Sequence, residues 1–434
     1  MEPTRQKKRP SWIWSVVPSN AGTNGFGTLL PLFVRQLGGN VIDYSIMSTL
    51  YNISVTISQG LWGVATDRLA RRRLFFVVAY VGMSVVFVSM YVFPTLLWLA
   101  IGYGVLGIVI TANVTAASLL VMETSEKKSW VSLFSMLALV ANLGAVIGLV
   151  GGILWSSFLP LNGFILFCAA CEAFSILLTF RLVAEPEVPL EASQLTSNPI
   201  TLFSRIYHAT TDRLNLDTVA TVTLQTPKRV LRILRSKGDQ GKKFLFLSSF
   251  VFMIANSLQG TPFTPFLLAY RVGDNEAFAV SLASVCVQML AYQWMGQITK
   301  RLGVGRILAA SIVSRAALFA VTGLLALFLS GSGLFVAALA WNAFSGFSWA
   351  TWNSTVNVVF FSSMGPEKRG GVLGGFSALN NFGAVIGALF SGYISYYIGY
   401  ATDFGISGVL MVASFLLLRS SLRGAGVKNG LSTI

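Results

Sequence analysis

The sequence is short of charge, of histidine and of cysteine. Only 11% of its 434 residues are Asp, Glu, Lys or Arg, against 54% hydrophobic, whereas a soluble domain carries about 25% charged residues. So few charges cannot clothe a water-facing surface, and the apolar surplus must face lipid. One histidine, His208, offers no metal-ligand set and no catalytic triad, so neither an enzyme nor a bound cofactor or metal is expected. Three cysteines, Cys168, Cys171 and Cys286, all fall in apolar stretches and make no disulfide framework. Cys168-Ala-Ala-Cys171 on an apolar helix reads as packing. No small-residue cleavage site follows the first apolar run, which therefore reads as a spanning helix rather than a signal peptide. Acidic residues number 16 against 31 basic ones, a net charge of +15. Such an excess can mark a nucleic-acid binder, but its distribution along the chain argues otherwise.

What the chain has instead is long apolar runs. A membrane helix needs about 20 largely apolar residues. Twelve stretches qualify: 12–37, 43–66, 74–94, 96–122, 130–156, 161–183, 244–270, 276–299, 306–329, 333–362, 371–396 and 399–421. They do not alternate polar and apolar as β-barrel strands do. With the N-terminus in the cytoplasm, all but three of the basic residues lie on the cytoplasmic side or in its linkers. The exceptions are Arg35, Arg271 and Arg315. That bias predicts a multi-pass protein of the cell membrane with both termini cytoplasmic. It assigns the basic charge to topology and to anionic lipid rather than to nucleic acid. The expected organisation is six spans (1–183), a polar connector (184–243) and six more (244–434). Within the connector, Val230, Leu231, Ile233 and Leu234 alternate with Arg229, Arg232 and Arg235. This reads equally as a basic helix on the inner leaflet or as a solvated linker.

The two halves repeat one another. Thr111-x-Asn113-x-Thr115 returns as Thr351-x-Asn353-x-Thr355, 240 residues later. Asn142-Leu-Gly144-Ala-Val-Ile-Gly148 returns as Asn381-Phe-Gly383-Ala-Val-Ile-Gly387, 239 residues later. Gly63-x-x-x-Asp67-Arg68 has a weaker copy, Gly296-x-x-x-Lys300-Arg301, offset by 233. Three matches at nearly one offset predict two like bundles, with a cavity between them at the membrane midplane.

Gly63-x-x-x-Asp67-Arg68-x-Ala70-Arg71-Arg72 resembles the loop 2–3 signature of the major facilitator superfamily, G-x-x-x-D-R-x-G-R-R, with Ala70 in place of its second glycine. The resemblance covers both bundles but not the connector. It implies an all-α membrane protein of twelve transmembrane helices in two pseudo-symmetric six-helix bundles, transporting a solute by alternating access. It also implies a conformational latch of Gly63, Asp67, Arg68, Arg71, Arg72 and Glu123. In that latch Asp67 meets the start of the eleventh span, and Arg68 and Arg72 pair with Glu123. The alternative is that the arginines only set topology. Gly144-x-x-x-Gly148-x-x-x-Gly152 is similar to the family's antiporter motif but has Leu149 where that motif has proline, so close helix packing is the better reading.

In this family spans 1, 4, 7 and 10 line the cavity. Its candidate lining residues are therefore Asn20, Asn24, Asn113, Asn256, Gln259, Trp349 and Asn353. An amide in lipid is costly unless partnered, so each is either interhelical glue or a solute contact. Amides beside an aromatic suit a neutral polar solute such as a sugar, with export of amphipathic drugs as the alternative. A non-transporting receptor or scaffold on the same fold is a further one. Two formal charges lie deep in spans, Glu172 and Arg315. Glu172 reads as a carrier for a coupling proton and Arg315 as an attractor of an anionic solute, or each as a structural hydrogen-bonding group. The expected partners are a small-molecule substrate, a coupling proton or ion, and membrane lipid. The expected state is a monomer.

Overall fold

A computed structural model describes residues 11–69, 71–124, 130–183, 240–362 and 369–424. Within them the chain folds as twelve long α-helices and two short 3-10 turns, Ser11–Ser15 and Leu161–Gly163. The first half comprises α1 (Val16–Gln36), α2 (Val41–Leu69), α3 (Arg72–Val92), α4 (Leu96–Thr124), α5 (Trp130–Phe158) and α6 (Phe164–Leu182). The second comprises α7 (Gln240–Ala269), α8 (Asp274–Leu302), α9 (Val304–Phe328), α10 (Gly331–Ser362), α11 (Arg369–Tyr397) and α12 (Tyr400–Gly424). Each overlaps one of the twelve expected stretches.

Eight of these helices, α3 to α9 and α12, carry a window long and apolar enough to cross a membrane. The other four, α1, α2, α10 and α11, show no such window among the described residues. Helix α1 is buried along most of its length, and α2 packs against α11 at the junction of the halves. Lipid exposure shows elsewhere, as bare apolar residues such as Val85, Leu97, Leu154, Leu177 and Val409.

The packing repeats with the sequence. Helix α1 packs on α5 and α6, and α7 packs on α11 and α12. The pairs α2–α4, α3–α4 and α3–α6 return as α8–α10, α9–α10 and α9–α12. The halves meet through α2–α11 and α5–α8, again a symmetric pair. Small residues make these contacts close. A methyl group at Gly144 or Gly148 would overlap the carbonyl oxygens of Val17 and Ala21. One at Gly383 or Gly387 would crowd those of Phe250 and Ile254. The two acceptor pairs stand 233 residues apart, matching the sequence repeat. Gly152 has a different neighbour, the Phe278 ring of the other half.

The contacts between halves concentrate at the membrane face opposite the 184–243 connector. There the Arg35 guanidinium donates to the Leu268 carbonyl at 3.2 Å, and the Ser45 hydroxyl donates to the Ala388 carbonyl. The Gly392 N–H donates to Ser45 Oγ at 3.2 Å, and Phe164 stands edge-on to Phe278, with ring centroids 5.6 Å apart. Leu268, Ala277 and Phe278 belong to the apolar core of the first half. Nearer the connector, the Asn381 amide donates to Gln59 Oε1 at 3.0 Å.

Candidate functional site

Helix α1 is buried on nearly every side, and its one relieved face is polar. Asn20 and Thr23 are half-buried, Asn24 is exposed, and Gly27 borders open space. These positions run i, i+3, i+4, i+7, a single helix face. Shifted by 233 residues, the same face on α7 is Met253, Asn256, Ser257 and Gly260. The first three are half-buried, and Gly260 is exposed and again borders open space. Thus the first helix of each bundle presents a polar stripe that ends in a glycine with room beside it. Asn20 and Asn24 lie on the stripe, each donating to the carbonyl four residues back at 2.8 and 2.9 Å. Thr23, Gly27, Ser257 and Gly260 join it, although no single-residue signal marks them.

Other expected lining residues fall elsewhere. Asn113 is 7% exposed, its carbonyl oxygen reached by the Tyr80 hydroxyl at 3.4 Å. It ties α3 to α4. Gln259 is buried and lies off the open stripe of α7. Asn353 donates to the Tyr292 hydroxyl at 3.0 Å, joining α10 to α8.

Arg315 of α9 is only 4% exposed and reaches the back of the stripe. One guanidinium nitrogen donates to the Asn256 carbonyl oxygen, and another to the Ser345 carbonyl of α10 at 3.2 Å. The cation stands over three rings, with centroids 5.3 Å away for Trp349, 5.7 Å for Phe319 and 5.8 Å for Phe252. Trp349 and Phe252 each stack on Trp352, at 5.3 and 4.1 Å. Three aromatic faces attract the cation through their quadrupoles, yet no acidic side chain pairs with Arg315 among the described residues.

Glu172 of α6 is fully buried behind α1. It is placed against Gly22, where a Cβ would meet Oε1 at 3.2 Å. Asp403, four residues into the last expected span, is a third buried charge that sequence reasoning left uncounted. It sits in the first turn of α12, fully buried, and accepts from the Ser395 hydroxyl at 2.6 Å. A carboxylate there also faces the positive end of the helix dipole.

Of the expected latch, Gly63 lies in α2 beside open space, and Arg71 immediately precedes α3. Arg72 is 6% exposed and donates to the Thr66 carbonyl at 2.5 Å, clamping the end of α2 to α3 within one half. The backbone of Asp67, Arg68 and Glu123 lies in α2 and α4, but their side chains, and so the expected pairings, lie outside the described residues.

Two pseudo-symmetric helical bundles, joined by a connector and presenting paired polar stripes, define a membrane transporter fold. The comparisons agree. The family model for the Major Facilitator Superfamily matches residues 13–360 and 245–430, and the chain belongs to that superfamily. Solved structures resemble it over almost the full length. One is a POT family transporter in complex with a thioalcohol-conjugated peptide, at TM-score 0.73 and 14% identity, covering 96% of each chain. Another is the nucleoside transporter NupG, at TM-score 0.64 and 14% identity, covering 96% of this chain and 98% of that one. A third is the human organic anion transporter MFSD10 (TETRAN), at TM-score 0.63 and 15% identity, covering 94% and 99%. No curated protein matches the chain by sequence.

Proposed function

We propose that this protein is a secondary transporter that carries a small polar solute across the cell membrane by alternating access. In this reading all twelve helices span, both termini are cytoplasmic, and a monomer suffices. One observation carries it: the first helix of each bundle bears a polar face at the same register, ending beside open space at Gly27 and Gly260. Such paired faces suit a solute held between the halves near the midplane. Asn20, Asn24 and Asn256 would hold it by hydrogen bonds, while the Ser257 hydroxyl, which donates to the Ala384 carbonyl at 2.9 Å, could only accept one. A neutral solute such as a sugar fits those amides and hydroxyls. A solute with an anionic group is favoured by a separate observation, the Arg315 cation behind Asn256 with no acidic partner among the described residues. Contacts at the face opposite the connector seal that side, so the site would open toward the connector. The latch of Asp67, Arg68 and Arg72 with Glu123 and the start of α11 would close the connector side in the other state.

The test uses the protein with Cys168, Cys171 and Cys286 replaced by Ala, reconstituted in vesicles, with one reporter cysteine at position 24 or 257. Labelling by a membrane-impermeant maleimide from each side should be strong from the connector side. It should shift further toward the connector side, and fall from the opposite side, when Asp67→Asn weakens the latch that closes the connector side. Labelling from one side only, in every condition and both variants, would sink the alternating-access reading. A thermal-shift screen over sugars, organic acids, peptides and nucleosides then identifies the solute class.

A further inference from the structure

Buried polar groups find partners almost everywhere in folded proteins, so a cluster of exceptions needs a cause. Seven buried side-chain atoms among the described residues lack one, and five lie in one place. They are both carboxyl oxygens of Glu172, the hydroxyls of Ser175 and Thr179, and the indole N–H of Trp12. Glu172, Ser175 and Thr179 follow one another at i, i+3, i+7 on the buried face of α6, each fully buried. That helix packs on α1, α3 and the Ser11–Ser15 turn that carries Trp12.

The hydroxyls are unusual in how they are left. A buried helical threonine normally satisfies itself by bonding the carbonyl one turn back. Thr23, Thr49, Thr115, Thr322 and Thr351 all do so, at 2.7–3.0 Å. Thr179 and Ser175 do not. Ser19 of α1 stands beside the Glu172 carboxyl, but no donor meets it in hydrogen-bond geometry. The titratable groups facing Glu172 are Tyr80 from α3 and Cys168 and Cys171 from its own helix. Only serines and Trp12 come from α1 and the turn, and among the described residues no basic side chain acts on the carboxyl.

The spacing points to small polar occupants in line rather than to a cage. Along α6 the rise from Glu172 to Ser175 is about 4.5 Å, from Ser175 to Thr179 about 6 Å, and from Thr179 to the helix end about 4.5 Å. A metal ion needs several oxygens converging within about 2.6 Å of one point, and Trp12 N–H can only donate. Single waters, each wanting two to four polar partners, fit a ladder of this pitch.

We propose that Glu172 is a proton-binding site connected to the connector face by a file of buried waters along Ser175, Thr179 and Trp12. The proposal rests on the transporter reading above and supplies its coupling ion. In the state sealed at the opposite face, the carboxylate takes a proton from, or returns it to, the connector side. Binding occurs directly behind Gly22, within the Asn20–Thr23 segment of α1 that carries the stripe on its other side, so the protonation state acts on the helix that holds the solute.

Infrared difference spectra of the protein in nanodiscs, recorded through a pH titration, test the site. A protonated-carboxyl band should titrate in the parent and vanish in Glu172→Gln. In Ser175→Ala/Thr179→Val, which keeps the carboxyl, the band should remain but exchange hydrogen for deuterium severalfold more slowly. A second readout guards against misfolding of the Gln variant: maleimide labelling at Asn24→Cys should shift between sides with pH in the parent and lose that dependence in Glu172→Gln. No Glu172-dependent band, or exchange unchanged in the double variant, overturns the proposal. Alternation that occurs but ignores pH likewise refutes the proton site alone, whereas absence of alternation at any pH refutes the transporter reading.

Discussion

Gly148 of α5 rests directly on the carbonyl oxygen of Ala21 in α1, so closely that no side chain fits between them. The second half repeats the arrangement with Gly387 of α11 against Ile254 of α7. These contacts also border the polar stripes: Gly144 lies against the Cβ of Asn20 and Gly387 against that of Ser257. The packing motif thereby fixes the edge along which each stripe opens, toward Asn24 and Gly27 on α1 and toward Gly260 on α7.

Gly148→Ala and Gly387→Ala should therefore each destabilise the protein by about 1–3 kcal/mol, the usual cost of forcing extra volume into a packed interior. Gly27→Ala and Gly260→Ala should not, because nothing lies within 4 Å of the added methyl. Those two should instead hinder the solute while leaving the melting temperature unchanged or slightly raised, since alanine favours helix over glycine. Melting temperatures of the four variants, measured by intrinsic fluorescence, separate the two classes. Equal losses in all four would contradict the assignment of open space.

Arg315 joins stability to binding. Arg315→Met leaves the Asn256 carbonyl oxygen and the Ser345 carbonyl without their donor. It should cost about 1–3 kcal/mol of stability. Binding of an anionic solute should fall by on the order of tenfold or more with the loss of a charged hydrogen-bond donor worth about 1.5–3 kcal/mol. Arg315→Lys keeps the charge but cannot serve both Asn256 and Ser345 with one compact ammonium group, and should lie between. Scintillation proximity binding of whichever organic acid the thermal screen selects is the measurement.

How much of this was legible in the chain depends on whether the signal is local. Hydropathy marked all twelve helices, because a run of apolar residues is a property of one segment. The repeat at Asn142–Gly148 and Asn381–Gly387 foretold the matching packing pairs. Asn20, Asn24 and Asn256 stood out as amides in apolar surroundings. Thr23, Ser257 and the two glycines did not, since small residues announce a cleft only when α1 and α7 are aligned at an offset of 233. The aromatic cage of Arg315 draws on α7, α9 and α10 at once, and no spacing within one segment encodes it. No local signal marks Asp403, because a charge four residues inside a span reads as a loop residue. Its burial comes from the packing of the first turn of α12 near Ser395.

Asp403 and Ser395 form a pair whose removal should act on stability alone. Ser395→Ala leaves a buried carboxyl oxygen without its donor and should cost about 1–3 kcal/mol. Asp403→Asn keeps the hydrogen bond within reach and should cost less. Neither residue touches the stripes, so vesicle labelling at position 24 should keep its sidedness in both variants. A shift in sidedness without a loss of melting temperature would instead place Asp403 in the conformational switch.

The seal at the face opposite the connector gives the sharpest conformational prediction. Arg35 is exposed in α1, yet its guanidinium crosses to the Leu268 carbonyl of the other half. A hydrogen bond from a charged donor contributes about 1.5–3 kcal/mol where it is shielded and less where solvent competes. Its loss biases the equilibrium against the state that makes it, since the opposite state breaks the bond in any case. Arg35→Ala should therefore raise labelling of a cysteine at position 24 from the sealed side by roughly three- to tenfold, about 0.7–1.4 kcal/mol. Labelling from the connector side should fall in step, because the two populations sum to one. A rise on both sides together would mean that the bundles had loosened rather than rocked. No change on either side would show that Phe278 packed against Gly152 and Phe164, with the Ser45–Gly392 contact, closes that face without help from Arg35.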